Sequence, residues 1–132
     1  MRGFSLLELL TVLVITAILA SVAYPSYIAY ETHAQRNRAV AALLQLSEKL
    51  ESYFSENGTY ENTTIAALSA DTLTQGIAYR LAIVSASETH FSIAAIPKDR
   101  QAHRDSACGT LTLTDIGLRG VFGESDVNAC WK

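Results

Sequence analysis

The first third of the chain is a largely apolar run followed by a stretch in which apolar residues recur with helical spacing. Residues 9–30, LLTVLVITAILASVAYPSYIAY, contain no charged side chain. About 20 apolar residues in a helix are enough to cross the hydrocarbon core of a membrane. A secretory signal has a shorter apolar core, of roughly 7–15 residues, and a small globular core rarely covers a helix that is apolar on every side. The run therefore predicts a transmembrane helix.

The helix is expected to continue well beyond this run. Pro25 removes one backbone hydrogen bond and predicts a bend, but helical signals follow it. The apolar residues that recur at three- and four-residue steps are Val40, Leu43, Leu44, Leu46, Leu50, Tyr53 and Phe54. Polar residues fill the other side, which predicts an amphipathic helix. Because Ser55-Glu56-Asn57-Gly58 is a stop signal, one long helix is predicted over residues 5–54.

The remainder of the chain shows the alternation typical of strands. Apolar residues alternate with small or polar ones around residues 79–83, 91–95 and 111–113, and turn signals separate the three stretches. A fourth short strand is predicted near residues 120–122, and residues 59–76 are expected to form a loop with a short helical turn. One face of an antiparallel sheet would then cover the apolar face of the amphipathic helix. The pattern predicts an α+β fold.

Charge and cysteine content bear on the compartment of the soluble part. The net charge is −3 and the sequence pI is about 5.5, which argues against bulk nucleic-acid binding. Cys108 and Cys130 are the only cysteines. They are either two unpaired buried thiols or a disulfide, and the even count near the C-terminus favours a disulfide and hence an oxidising compartment. Lys and Arg flank the span almost evenly, so the positive-inside rule does not set the orientation. The cysteines set it instead, and we expect a cytoplasmic N-terminus and an exported soluble part.

Glu8 stands at the head of the charge-free run, where a carboxylate needs an explanation. Ser5-Leu6-Leu7-Glu8 matches a capping box, in which the serine caps the helix and the glutamate reaches back to the backbone. If the chain is cut after Gly3, the new amine of Phe4 lies one helical turn from Glu8. The carboxylate then pairs with its own amine or with that of a neighbouring copy, which would set the register of packed helices. The residues alone leave capping and assembly equally open.

The N-terminal sequence resembles that of a known family. Gly3-Phe4-Ser5-Leu6-Leu7-Glu8-Leu9 is similar to the class III signal of type IV pilins and pseudopilins, and Pro25, Tyr27 and Tyr30 follow at family-like spacing. The resemblance implies a type IVa-like pilin, major or minor. It implies that a dedicated membrane peptidase cleaves after Gly3 and methylates Phe4, and that Glu8 is needed for subunit recruitment.

The resemblance also implies the organisation of the chain. Residues 1–3 would be the leader, residues 4–30 the transmembrane and filament-core helix, and residues 31–132 the periplasmic or extracellular globular domain. A leader of three residues is short for the family, so the translation start stays open. Ala17 stands where many pilins have glycine. Because alanine favours helix by about 1 kcal/mol, the local melting known for the family in filaments is in question here.

The C-terminal part resembles the disulfide-bounded region of short Gram-negative pilins. The similar stretches are Ser106-Ala107-Cys108-Gly109-Thr110-Leu111-Thr112-Leu113 and Asn128-Ala129-Cys130-Trp131-Lys132. The resemblance implies a Cys108–Cys130 bond that encloses the last strands. Such a bond would stabilise the fold by roughly 3 kcal/mol in the chain-entropy model.

A pilin would function as a structural subunit with several partners. It would wait as a single-span protein in the bacterial inner membrane and then enter an extracellular pilus for adhesion, twitching motility or DNA uptake. The implied partners are membrane lipid, other pilin subunits, the prepilin peptidase, an assembly platform with its ATPase, and an outer-membrane secretin. The alternatives are a minor pilin that primes or decorates the filament, a type II secretion pseudopilin, and an unprocessed membrane-anchored enzyme or binding module.

One cluster of basic residues suggests a binding function besides filament assembly. Lys98, Arg100, His103 and Arg104 lie just before the first cysteine, and such a segment can bind the phosphates of DNA without reading sequence. The resemblance allows this role, because some pilins act as DNA receptors, and Lys98, Arg100 and Arg104 would then contact the DNA. The opposing interpretation is a solvated loop whose charge Asp99 and Asp105 partly balance, and we favour that interpretation. No catalytic constellation, metal spacing or cofactor motif stands out, so no enzyme activity, metal or cofactor is expected.

Overall fold

A computed structural model describes residues 3–132, so Met1 and Arg2 of the predicted leader lie outside the described residues. Helix α1 spans Leu6–Asn57. The chain divides into two compact units, the first ending at Glu31 and the second comprising Thr32–Lys132. The predicted helix over residues 5–54 is confirmed with an end three residues later, and α1 continues through Pro25 instead of ending there.

The end of α1 follows from the residues that form it. Asn57 turns its side-chain amide back and donates to the Tyr53 carbonyl at 2.9 Å. Gly58 has a φ of +72° and donates its N–H to the Phe54 carbonyl at 2.7 Å. A left-handed residue after the last helical turn is a common helix stop, and glycine adopts it without steric cost.

Four antiparallel strands form one sheet with the order β1-β2-β3-β4. Their bounds are Tyr79–Ala86 for β1, Phe91–Pro97 for β2, Leu111–Thr114 for β3 and Arg119–Val121 for β4. All four predicted strands are confirmed. A 3₁₀ helix at Asp71–Thr74 lies in the predicted loop, whereas the short helices α2 (Asp99–Arg104) and α3 (Val127–Cys130) were not predicted.

The core of the second unit lies between α1 and one face of the sheet. It includes Ala39, Leu43, Leu46 and Leu50 from α1 and Tyr79, Phe91, Ile93, Ala95, Leu111 and Leu113 from the strands. The predicted covering of the amphipathic helix by the sheet is therefore confirmed. Leu44 is an exception, because it is 43% exposed. It lies about 100° around the helix from Leu43, whereas the small Ala39 belongs to the core.

A disulfide joins Cys108 to Cys130 and encloses β3, β4 and α3. This is the expected bond, and both cysteines are almost fully buried. Gly123 packs inside this region, and its N–H donates to the Cys108 carbonyl at 3.0 Å. A Cβ at Gly123 would collide with the Ala107 carbonyl, so only glycine lets the backbones approach this closely.

Candidate functional site

The N-terminal end of α1 has the capping geometry that the sequence predicts. Glu8 Oε2 accepts a hydrogen bond from the Ser5 N–H at 2.9 Å. The Ser5 hydroxyl in turn accepts one from the Leu7 N–H at 3.2 Å. Two N–H groups that a helix terminus leaves without backbone partners are satisfied in this way. Glu8 therefore has a local structural role whatever else it does.

The same geometry places Glu8 next to the predicted processing site. Its carboxylate contacts the backbone N–H directly after Phe4, and Gly3 and Phe4 are exposed, Phe4 at 86%. In the uncut chain the Phe4 nitrogen is a neutral amide. Cleavage after Gly3 would turn it into a cation within one helical turn of the carboxylate. The arrangement can thus hold a cation next to the charge-free segment of residues 9–30.

The first unit exposes its apolar side chains in every direction. One 18-residue window of α1 has a mean hydropathy of 2.5, and none of it is buried within the chain. Leu6, Leu13 and Leu19 are 81%, 64% and 65% exposed. Apolar surface of this extent is stable only when lipid or other chains cover it. This part of α1 is therefore long and apolar enough to span a membrane or to pack in a bundle.

The second unit contains a buried ion pair that links α1 to α2. The Arg36 guanidinium donates two hydrogen bonds to the Asp105 carboxylate, at 2.8 and 2.7 Å, and the two side chains are 8% and 2% exposed. The Tyr79 hydroxyl donates to the same carboxylate at 2.8 Å. The Gln101 amide donates to the Thr32 carbonyl at 3.0 Å and to the Tyr79 hydroxyl at 3.2 Å. Removing one partner of such a network would leave a charge buried without compensation.

This ion pair corrects one expectation about the basic cluster. Asp105 was expected to balance its charge, but Asp105 is buried against Arg36 and neutralises that residue instead. The exposed charged residues of the segment 98–104 are then three Lys or Arg and one carboxylate, that of Asp99. Their formal charge is +2 with histidine neutral. The expectation failed because sequence proximity does not show which side of a helix faces the core.

Helix α2 presents the predicted basic residues to solvent. Lys98 precedes the helix, Arg100 lies in its first turn and Arg104 in its last, and all three are exposed. Lys98 and Arg100 line an open hollow of about 400 Å³ together with Gln35 and Gly76, and the carboxylate of Asp99 lines it as well. Arg104 does not line this hollow. Arg104 lies one helical turn beyond Arg100, at the i+4 position on the same helix.

A contact between a histidine and a carboxylate joins two turns at one end of the sheet. His90 Nδ1 lies 2.8 Å from Asp115 Oδ2, and the other carboxylate oxygen accepts the Phe91 N–H at 3.3 Å. The hydrogen bond with His90 is the main reason that the pKa of Asp115 lies below its ordinary value. The histidines do not converge on a metal: no group of three metal-ligating side chains occurs in the described part of the chain.

Sequence reasoning missed the Arg36 network, although a signal for it exists. The buried positions of α1 at Arg36, Ala39, Leu43, Leu46 and Leu50 follow one another at steps of three and four residues. Arg36 therefore continues the apolar stripe toward the N-terminus. A charged residue on such a stripe predicts a buried partner elsewhere in the chain. Which carboxylate supplies it could not be read from the sequence.

Two family descriptions match the chain. "Prokaryotic N-terminal methylation motif" matches residues 1–24, and "Type IV minor pilin ComP, DNA uptake sequence receptor" matches residues 25–112. Fimbrial protein EcpC of Eikenella corrodens is 30% identical over 121 residues, which cover 92% of this chain and 78% of that protein. Type II secretion system core protein G of Pectobacterium carotovorum is 37% identical over 62 residues, 47% of this chain and only 40% of that protein.

Solved structures of pilins share the fold. The non-core minor pilin PilV of Neisseria meningitidis aligns with a TM-score of 0.58 at 19% identity, covering 74% of this chain and 94% of that one. A type IV pilin from Shewanella oneidensis aligns with a TM-score of 0.54 at 25% identity, covering 73% and 96%. These pilins therefore share the fold of this chain over about three quarters of its length.

Proposed function

Since this chain belongs to the type IV pilin family, whose members are structural subunits, we propose that it is a subunit of a type IV pilus. In this proposal the chain is cleaved between Gly3 and Phe4, methylated on the Phe4 amine and polymerised into a filament. Residues 1–3 are then the leader, residues 4–30 the membrane and filament-core segment, and residues 31–132 the globular domain. The amount of the chain in the filament distinguishes a major from a minor pilin.

The observation that carries the proposal is the position of Glu8. It is the one carboxylate on an apolar helix surface that has no cover within the chain, and it already reaches the backbone next to Phe4. In a bundle of such helices, each Glu8 can pair with the Phe4 amine of a neighbouring subunit. A pair of opposite charges in an apolar setting specifies register more than it adds stability. Apolar contacts between the helices supply most of the cohesion.

The remaining partners follow from the family and from membrane physics. Before assembly the N-terminus lies in the cytoplasm, the helix spans the inner membrane, and the disulfide-bonded domain lies in the oxidising periplasm. Pulling an apolar helix out of lipid is not spontaneous, so an assembly ATPase and platform protein drive it. A prepilin peptidase acts first, and an outer-membrane secretin passes the filament to the exterior, where it serves adhesion, twitching motility or DNA uptake.

The test compares two variants at the N-terminal end of α1. Glu8→Gln keeps a hydrogen-bond acceptor for the Ser5 N–H but removes the charge, whereas Ser5→Ala weakens the cap and keeps the charge. The quantity to measure is the fraction of the chain in sheared surface fibres relative to the membrane. We expect Glu8→Gln to lower this fraction by at least about tenfold, which corresponds to roughly 1.4 kcal/mol, and Ser5→Ala to change it little. Equal losses in both variants would reduce Glu8 to a helix cap.

DNA binding is a second candidate function, and the burial of the Asp105 carboxylate favours it. The exposed surface of residues 98–104 is more cationic than its sequence indicates, because Asp105 is buried against Arg36. Lys98 and Arg100 line one hollow, where two cations can contact neighbouring phosphates. The family description that matches residues 25–112 names a DNA uptake sequence receptor. In this proposal Lys98, Arg100 and Arg104 hold the DNA backbone.

The salt dependence of DNA affinity tests this candidate. In the full-length chain in detergent, the triple variant Lys98→Ala, Arg100→Ala, Arg104→Ala removes three cations from the α2 surface. A matched control, Arg38→Ala, Lys49→Ala, Lys132→Ala, lowers the net charge equally at other places. Each lost phosphate contact should reduce the slope of log affinity against log salt by about 0.9. Loss in the first variant alone supports the site, and equal or absent changes contradict it.

A further inference from the structure

The apolar part of α1 ends in three exposed tyrosines. Tyr24, Tyr27 and Tyr30 are 67%, 64% and 70% exposed. At 1.5 Å per residue they are spread over about 9 Å of the helix axis, and at 100° per residue they lie within one sector of about 120°. The interfacial layer on each side of a bilayer is roughly 5–8 Å thick. The three rings therefore occupy an axial interval that matches one interfacial layer.

The hydroxyl groups of the segment fall into two kinds. Those of Thr11, Thr16, Ser21 and Ser26 each donate to a backbone carbonyl one turn earlier, at 2.7 to 3.1 Å. Such groups can lie in hydrocarbon because the helix satisfies them itself. The hydroxyls of the three tyrosines, by contrast, have no hydrogen-bond partner among residues 3–132. A phenolic hydroxyl without a partner requires water or a lipid headgroup.

The spacing between the tyrosines and the N-terminal end of the helix fits a bilayer. Phe4 and Tyr24 are 20 positions apart, which is about 30 Å of helix and equals the thickness of a typical hydrocarbon core. No charged side chain occurs in residues 9–30, and Glu8 and Glu31 flank that interval. Tyrosine and tryptophan are enriched where transmembrane helices leave the hydrocarbon. Length, charge and hydroxyl pattern thus indicate the same boundary.

We propose that Tyr24, Tyr27 and Tyr30 bind the headgroup layer of a phospholipid bilayer and set the depth of the helix before assembly. This inference rests on the membrane-resident subunit of the proposed function. With Tyr24 at one boundary, Phe4 lies at the opposite one and Glu8 about 6 Å inside it. A carboxylate at that depth can reach the interface by bending its side chain. The Gly3–Phe4 bond is thereby held in the wet layer, where hydrolysis has access to water.

Depth measurements on single spin labels test the proposal. Both native cysteines are in the disulfide, so one engineered cysteine takes the label alone. The full-length chain is reconstituted in phosphatidylcholine vesicles at low protein density, with labels at Leu10→Cys, Val14→Cys, Ile18→Cys or Val22→Cys. Collision with oxygen, relative to collision with a water-soluble nickel chelate, reports depth. We expect the deepest position at Val14, midway between Phe4 and Tyr24.

Replacement of the tyrosines then assigns the cause. The triple variant Tyr24→Leu, Tyr27→Leu, Tyr30→Leu should let the helix slide, moving the deepest position toward Ile18 by about three to six residues, or roughly 5–9 Å. The matched control Tyr24→Trp, Tyr27→Trp, Tyr30→Trp keeps amphipathic rings and should keep the original profile. An unchanged profile in the leucine variant overturns the proposal, as does a wild-type profile centred near Ile18.

Two further outcomes distinguish lipid binding by the tyrosines from contact between copies of the chain and from a helix outside the membrane. If the profile changes when the ratio of protein to lipid is raised and lowered, a second copy of the chain covers the tyrosines and the lipid assignment is wrong. If the wild-type chain does not float with the vesicles in a density gradient, membrane residence itself fails, and with it the proposed function. The measurement needs neither cleavage nor polymerisation, so a failed tyrosine anchor leaves the pilin assignment intact.

Discussion

Removing Arg36 tests how far the second unit depends on its buried ion pair. Replacement by alanine deletes both guanidinium hydrogen bonds to Asp105, at 2.8 and 2.7 Å, and leaves a carboxylate that is 2% exposed. The hydroxyl of Tyr79 remains as its donor at 2.8 Å. Breaking a buried pair by removing one partner costs about 3–5 kcal/mol. We expect Arg36→Ala to lower the free energy of unfolding by that amount.

The double variant Arg36→Met, Asp105→Leu should be milder. An apolar pair of similar volume leaves no charge uncompensated. The Gln101 amide still donates to the Tyr79 hydroxyl at 3.2 Å and to the Thr32 carbonyl at 3.0 Å, but the buried Tyr79 O–H loses Asp105 as its acceptor. We expect a loss of about 1–3 kcal/mol, the cost of that one unsatisfied donor, which is smaller than the cost of Arg36→Ala.

Unfolding in guanidinium chloride measures these differences on the full-length chain in detergent. Trp131 is the only tryptophan and is 7% exposed, so its fluorescence reports the second unit. Arg38→Ala is the matched control, since Arg38 is exposed on the same helix two residues later. A surface change of this kind costs within about 0.5 kcal/mol. If Arg36→Ala costs no more than this control, the ion pair does not stabilise the second unit.

Three further changes probe other parts of the second unit by the same unfolding measurement. The double variant Cys108→Ser, Cys130→Ser should lose roughly 3 kcal/mol, and an unchanged midpoint would show that the disulfide adds nothing. Gly123→Ala forces a methyl group onto the Ala107 carbonyl and should cost about 1–3 kcal/mol. Gly117 has open space around it and, unlike Gly123, a positive φ, so Gly117→Ala should cost only the backbone strain of about 1–2 kcal/mol. The pKa of Asp115 is lowered from 3.8 by its hydrogen bond with His90. The contribution of Asp115 to the free energy of unfolding is therefore present above pH about 4 and lost as pH falls through the lowered pKa. Asp115→Asn should reduce the acid-induced fall in the free energy of unfolding by less than about 1 kcal/mol, and an unchanged pH dependence would contradict this.

Local pattern was enough to predict the helix and the sheet. Three- and four-residue spacing marked the face of α1 that carries Leu43, Leu46 and Leu50, and alternation marked three of the four strands. The stop at Asn57-Gly58 follows from a glycine that takes positive φ. These features depend on neighbours in sequence, which is why a single chain reveals them.

The same local patterns do not predict contacts between residues that are far apart in the sequence. Helix α2 has only six residues, and its position depends on Gln101 and Asp105 binding residues far away on α1 and β1. The charge of the basic segment was misjudged for that reason, because a carboxylate beside three cations in sequence faces away from them in space. The disulfide could be predicted because only one pairing of two cysteines exists.

The intact mass of the chain recovered from sheared surface fibres tests the pilin assignment most directly. Reduced and non-reduced samples are compared by mass spectrometry. We expect a chain that begins at an N-methylated Phe4 and carries one intramolecular disulfide. A chain that still begins at Met1 and is found only in the membrane fraction would contradict it.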